Sequence, residues 1–317
     1  MDAAVTIRNP GLMTMIVDLG RNGYSDMGVP SSAALDGYAC RALAALLDSP
    51  DTPVLEVTGP RFALRFDAEV TCAITGARVK AFLDDVPLLP WASFRAGRGS
   101  ILRVREITEG FRYYIGFAGG LKIDRVMGSY TTNLECRFGG YEGRTLMGGD
   151  VLSLAAPGQP DIRILPDHWI PPMASPHRLR VISGPESDYF TSDSLATFWD
   201  KDPQELFSTS RHLNRTGIRM KGKPLLFRPE VQKSIISEGI LPGTVQIPGD
   251  GLPIVMLYER TIGGYARVAT VIRADRDRLA HLRPGDMVYF ERITIEEAEA
   301  SWKEKKDRME AFPLSGK

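Results

Sequence analysis

A chain of 317 residues has room for two domains, or for one large all-β or α/β domain. Its 39 lysines and arginines balance 39 aspartates and glutamates, which argues against a nucleic-acid or other polyanion-binding surface. Hydrophobic residues make up 43%, as in a globular core, and no apolar run approaches the ~20 residues of a membrane span.

The start, MDAAVTIRNPGL, lacks the basic beginning and apolar centre of a signal peptide. Strand-like runs follow as MTMIVD, PVLEVT, RFALRF, EVTCAIT, ILRVREI and RYYIGFA. Between the first two, Ala33 to Asp48 carries Leu35, Ala39, Ala42, Leu43 and Leu46 on one helical face. LMGGDVLSL (Leu146 to Leu154) closes this half, and a proline-rich stretch to Pro176 reads as a linker. The second half brings RLRVIS, a helical ESDYFTSDSLATFW, PIVMLY, VATVI and LRPGDMVYF (Leu282 to Phe290). The charged TIEEAEASWKEKKDRMEAF predicts a solvated or loosely docked terminal helix.

LMGGDVLSL and LRPGDMVYF share Leu-x-x-Gly-Asp before an alternating strand, each a tight turn feeding the last strand of a β unit. The expectation is a mostly β chain of two related units. One spans residues 1–160, a linker 161–176, the second 177–297, and a charged tail 298–317. An open sandwich competes, but barrels remove exposed edges better.

Most signatures of chemistry are missing. GIRMKGKP has the glycine and lysine spacing of a phosphate loop, but Pro224 stands where the hydroxyl belongs. Neither a G-x-G-x-x-G nor a G-x-S-x-G motif occurs. His168, His177, His212 and His281 lack ligand spacing, so no metal site is expected. Cys40, Cys72 and Cys136 are scattered, which fits reduced thiols in a cytoplasmic protein. What stands out are Gly-rich turns with polar residues, among them LGRNGYSDMGVPSSAALD, GGLKIDRVMGSYTTN, SEGILPGTVQIPGDGLP and ERTIGGYARVATVI. In QIPGDGLP the two prolines stiffen a loop that offers Gln246 and Asp250.

From Met13 to Ala298 these turns resemble the family of the 5-oxoprolinase C subunit. Its members are also described as KipA-like, allophanate hydrolase subunit 2-like or biotin-dependent carboxyltransferase proteins, including the carboxyltransferase part of urea carboxylase. The matches include Gly20-Arg21, Gly28-Val29-Pro30, Gly128-Ser129, Asn214-Arg215, Ser237-Glu238-Gly239, Gln246-Ile247-Pro248, Asp250-Gly251 and Gly263-Gly264-Tyr265. The resemblance implies two tandem cyclophilin-like β-barrels with a few short helices. It implies one component of a complex, joined to a KipI-like protein that resembles the 5-oxoprolinase B subunit. A hydrolase resembling the A subunit, or a biotin carboxylase and carrier, would be further partners. The substrate would be a small amide, lactam or ureido compound, opened with ATP or carboxylated from carboxybiotin. Neither cofactor would be bound by this chain alone. The alternative is a non-catalytic KipA-like regulatory partner.

By the same resemblance Glu238 and Asp250 are the catalytic candidates, Glu238 as general acid or base. Arg21, Ser129, Tyr130, Arg215, Gln246, Arg260, Thr261 and Tyr265 are the substrate-binding candidates. Turn capping is the alternative for Asp250, and a structural ion pair for each arginine. The chain also departs from the family. Tyr130 stands in place of an arginine, and Tyr258 to Ile262 in place of Asp-x-Gln-Thr-Thr, with Arg260 as the replacement guanidinium.

Overall fold

The computed structural model describes residues 3–199, 206–312 and 315–316. It divides into two compact units. The first takes residues 1–22, 32–173 and 308–317, and the second takes 23–31 and 174–307.

The first unit begins with β1 (Ala4–Pro10), β2 (Met13–Val17), α1 (Gly37–Leu47), β3 (Val54–Thr58) and β4 (Phe62–Phe66). It continues with β5 (Val70–Leu83), β6 (Val86–Leu88), β7 (Ala92–Ala96), β8 (Ile101–Phe117), β9 (Val151–Ser153) and β10 (Arg163–Ile164). The long strands β5 and β8 pair along their length, and bulges shift their register between Gly76 and Ala81. Such bulges bend a strand, so β8 pairs with β4 at one end and β3 at the other. The result is one 11-stranded sheet.

Burial on both faces explains why β2 and β3 carry apolar residues at successive positions. Ile16, Leu55 and Val57 enter one core, while Met15, Val17 and Val54 enter a second core beneath α1. The predicted helix starts at Gly37, because Asp36 caps it by accepting from the Ala39 amide at 2.8 Å. Leu43 and Leu47 reach the sheet over Gly116, where an added Cβ would meet Leu43 at 2.6 Å. Glu56, wholly buried on that face, accepts from the Leu35 amide and the Tyr114 hydroxyl, and lies beside Arg112. The stretch read as a linker packs into the same core through Leu165, Ile170 and Met173.

The second unit holds β11 (His177–Ser183), α2 (Ser192–Trp199), β12 (Phe207–Leu213), β13 (Gly217–Lys221) and β14 (Glu238–Gly239). Then come β15 (Thr244–Ile247), β16 (Ile254–Met256), β17 (Ile262–Gly263), β18 (Ala266–Val271), β19 (Met287–Arg292) and α3 (Ile295–Glu310). β20 (Ser315–Gly316) returns to the first unit and pairs with β10. Seven strands close a barrel in the order β11-β18-β15-β16-β13-β12-β19. GIRMKGKP is β13 and the turn after it, not a loop leading into a helix. β14 and β17 form a separate two-stranded ribbon.

The repeated Gly-Asp motif is the same turn in both units. Asp150 accepts from the Met147 amide and Asp286 from the Arg283 amide, each at 2.8 Å. Gly149 and Gly285 supply the left-handed backbone at φ 99° and 90°. Of the two forms expected for the terminal helix, solvated or loosely docked, the structure has the docked one. Arg273 lies 4.1 Å over Trp302, Ser301 accepts from Arg180 at 2.9 Å, and Lys305 reaches Asp277 at 2.5 Å. Its charges dock it.

Candidate functional site

The ribbon of β14 and β17 organises the polar chemistry of the second unit. Successive residues of a strand face opposite sides, and Gly239 and Glu238 line different clefts.

The smaller cleft, about 440 Å³, is lined by Ser25, Asp26 and Ser31, by Gly239 to Pro242, and by Tyr258, Arg260 and Thr261. Residues 23–31 reach it as part of this unit, with Gly28 O 3.5 Å from the Thr261 hydroxyl. Burial pushes the Tyr258 phenol up to about 12, reinforced by Asp277 and opposed by its partner Arg276. The phenol therefore stays a proton donor at neutral pH. One guanidinium, one phenol, three hydroxyls and a carboxylate line it together with Ile240, Leu241 and Pro242. That set suits a small molecule with a carbonyl or carboxylate oxygen and an N–H group.

The larger cleft, about 650 Å³, is lined by Glu186, Tyr189, Glu238 and residues of the 230–236 segment. Arg267 ties it together. Its guanidinium reaches Glu186 at 2.6 Å and Glu238 at 2.8 Å, and donates to Gly239 O at 3.3 Å. Burial alone would raise the Glu186 carboxyl, but the hydrogen bonds from Arg267 outweigh it and hold the group below its ordinary range. Glu238 thus serves a structural ion pair on the side of the ribbon away from Arg260 and Thr261.

The other candidates of this unit lie in three places. Gln246 is buried beneath the ribbon, its amide 3.4 Å from Tyr265 O. A Cβ on Gly263 would come within 2.2 Å of that amide, so a larger residue there would make the Gln246 side chain move. Arg215 donates to Glu259 at 3.0 Å, both of them buried. Asp250 sits on the turn between β15 and β16, where it accepts from the Leu252 amide at 3.1 Å and pairs with Arg219 at 3.0 Å. The Gly251 amide donates to Pro248 O at 2.9 Å and closes that turn. The QIPGDGLP loop is therefore a capped barrel-rim turn, outside both clefts.

Comparison with known proteins fixes the family. The model for "carboxyltransferase domain, subdomain A and B" matches residues 27–292. The chain belongs to the carboxyltransferase-domain family. It is 34% identical to the 5-oxoprolinase C subunit of Escherichia coli, over 91% of both chains. It is 30% identical to the urea amidolyase of Saccharomyces cerevisiae, covering 96% of this chain and 17% of that protein. Among solved structures, the Kluyveromyces lactis urea carboxylase superposes with a TM-score of 0.89 at 25% identity. The superposition covers 98% of this chain and 29% of that one. TTHA0988 superposes at 0.78 with 31% identity, covering 91% of this chain and 56% of that one. The chain thus spans under a third of the urea carboxylase relative and just over half of TTHA0988.

In this carboxyltransferase-domain chain the first-unit candidates form one polar knot, with Arg21 and Ser129 buried and Tyr130 half-buried. Asp18 accepts from the Ser129 hydroxyl at 2.7 Å and from the Tyr130 amide at 2.6 Å. Arg21 donates to Val126 O and Thr131 O, each at 3.1 Å, and lies 4.5 Å over Phe138. The Tyr130 ring carries the Arg125 guanidinium at 4.6 Å. These contacts hold the 126–138 segment in shape. Sequence reasoning missed Ser25, Asp26, Ser31 and Tyr258 as cleft residues, and Arg267, which also holds Glu186, as the partner of Glu238. The dense Ser, Asp and Gly content of YSDMGVPSS was the available signal for the first three.

Proposed function

We propose that this chain is one component of a heteromeric enzyme acting on a small amide, lactam or ureido compound. The observation that carries the reading is the 34% identity to the C subunit of a 5-oxoprolinase over 91% of both chains. The urea amidolyase and urea carboxylase relatives support the same substrate class. In this reading the substrate oxygen meets Arg260, with Tyr258 and Thr261 as further donors and Asp26 as acceptor for an N–H. Oriented donors of this kind stabilise charge that grows on a carbonyl oxygen. ATP or carboxybiotin stays on the partner proteins. The partner nearest to this chain is a KipI-like protein of the B-subunit type.

The test is Arg260→Ala in the reconstituted complex. Removing a charged hydrogen-bond partner costs about 1.5–3 kcal/mol, so KM should rise roughly ten- to a hundredfold. Unchanged KM and kcat on every amide, lactam and ureido substrate turned over would overturn the site. A chain that binds its partner but supports no turnover would instead be a regulatory binding protein.

A further inference from the structure

The ribbon that walls both clefts is also the most apolar exposed surface of the second unit. Among the described residues of this unit, Met27, Ile236, Leu241, Ile262 and Tyr265 are exposed on or beside it. Ile236 is 87% exposed. Gly263 faces inward onto Gln246, so its neighbour Ile262 points outward. Gly239 pairs with Ile262, and Leu241 lies two residues beyond Gly239, which places Leu241 on the same outward side. Met27 precedes Gly28, whose carbonyl lies 3.5 Å from the hydroxyl of Thr261, the neighbour of Ile262. Arg260 and Asp26, which line the same cleft as Leu241, give this apolar centre a polar rim, the usual anatomy of a protein interface.

A two-stranded ribbon is marginal by itself in water, and a contiguous apolar patch on a protein surface marks a contact site. The relative TTHA0988 bears on what covers it. This chain accounts for 56% of that chain, so nearly half of the relative is further polypeptide joined to the same module.

We infer that the outward face of the β14–β17 ribbon, centred on Met27, Leu241 and Ile262, is the docking surface for a separate partner polypeptide. The partner supplies the module that TTHA0988 carries in its own chain. It presents apolar side chains to Ile262 and Met27 and roofs the Arg260 cleft. The inference rests on the proposed role as one component of a heteromeric enzyme.

The experiment co-expresses the full chain with the KipI-like protein of the same genome. It measures co-elution on sizing and Kd by calorimetry for the parent, Ile262→Glu, Met27→Glu and the double variant. Val86→Glu is the control, an exposed apolar position on β6 of the first unit. All sites are exposed, so melting temperatures should be unchanged. Each ribbon variant should weaken Kd about tenfold or more, as loss of interface anchors does. The double variant should not co-elute, and Val86→Glu should bind like the parent. A parent complex that survives both ribbon substitutions unchanged overturns the docking surface and leaves the heteromeric reading intact. A parent chain that forms no complex overturns both. Equal weakening by Val86→Glu also rejects this face as the specific site.

Discussion

Arg215 offers the sharpest separation between a structural and a substrate-holding role. Its Nε donates to Glu259 Oε1 at 3.0 Å, and the side chains are only 4% and 6% exposed. Arg215→Ala takes one charged donor from the Glu259 carboxylate in a place water hardly reaches. Breaking one side of a buried ion pair costs about 3–5 kcal/mol. At roughly 2–4 °C per kcal/mol for a domain of this size, Tm should fall about 6–20 °C. The assay is thermal unfolding, with urea titration to check that the midpoint moves without a change in slope. Replacing both partners, as Arg215→Met with Glu259→Leu, removes the buried carboxylate as well and should recover most of the loss. A single variant that keeps its stability within about 1 kcal/mol of the parent would refute the structural assignment. Loss of turnover at unchanged Tm would place Arg215 with the substrate instead.

Asp250→Ala should cost about 1 kcal/mol through its turn-capping bond, with activity falling only in proportion; an inactive variant of unchanged Tm would contradict that. Glu238→Gln should keep kcat within about tenfold, because Glu238 holds Arg267 and lies across the ribbon from Arg260. A roughly 10²- to 10⁴-fold loss would reinstate it as a proton carrier. Burial would raise the Asp286 carboxyl, but hydrogen bonds from His177 and the Arg283 amide hold it below its ordinary value. Its stabilisation is therefore complete above the unfolded pKa of about 4 and is lost as pH falls through the lower folded value. Asp286→Asn should lower stability at neutral pH and flatten the acid limb of the stability profile. Parallel acid limbs for variant and parent would refute this.

The fold was largely legible because its signals are local. Alternation along RFALRF and the Gly-Asp turns mark strands and their ends, and the apolar face within Ala33 to Asp48 marks α1. The 11-stranded sheet was less legible, since which partners the two ends of β8 choose depends on bulges that composition does not announce. The residues 23–31 read as part of the first half, yet they count with the second unit. Contacts that distant in sequence leave no periodic trace. Of the candidate residues, Arg260 and Thr261 share a cleft. Glu238 faces the other side of a ribbon one residue thick, and residue order cannot tell those sides apart. For Arg21 and Arg215 the guanidinium was evident but its use was not, because a buried structural fork and a substrate clamp require the same side chain.

As proposed above, this chain supports turnover of a small amide, lactam or ureido compound only within a complex. The most direct measurement is substrate turnover by the purified chain alone, by its partner proteins alone, and by the reconstituted complex, with 5-oxoproline plus ATP and with urea plus carboxybiotin. The expected result is turnover of at least one substrate by the complex, none by either part, and loss of affinity in Arg260→Ala. Full activity in partner proteins lacking this chain, or none in a complex shown to be assembled, would contradict it.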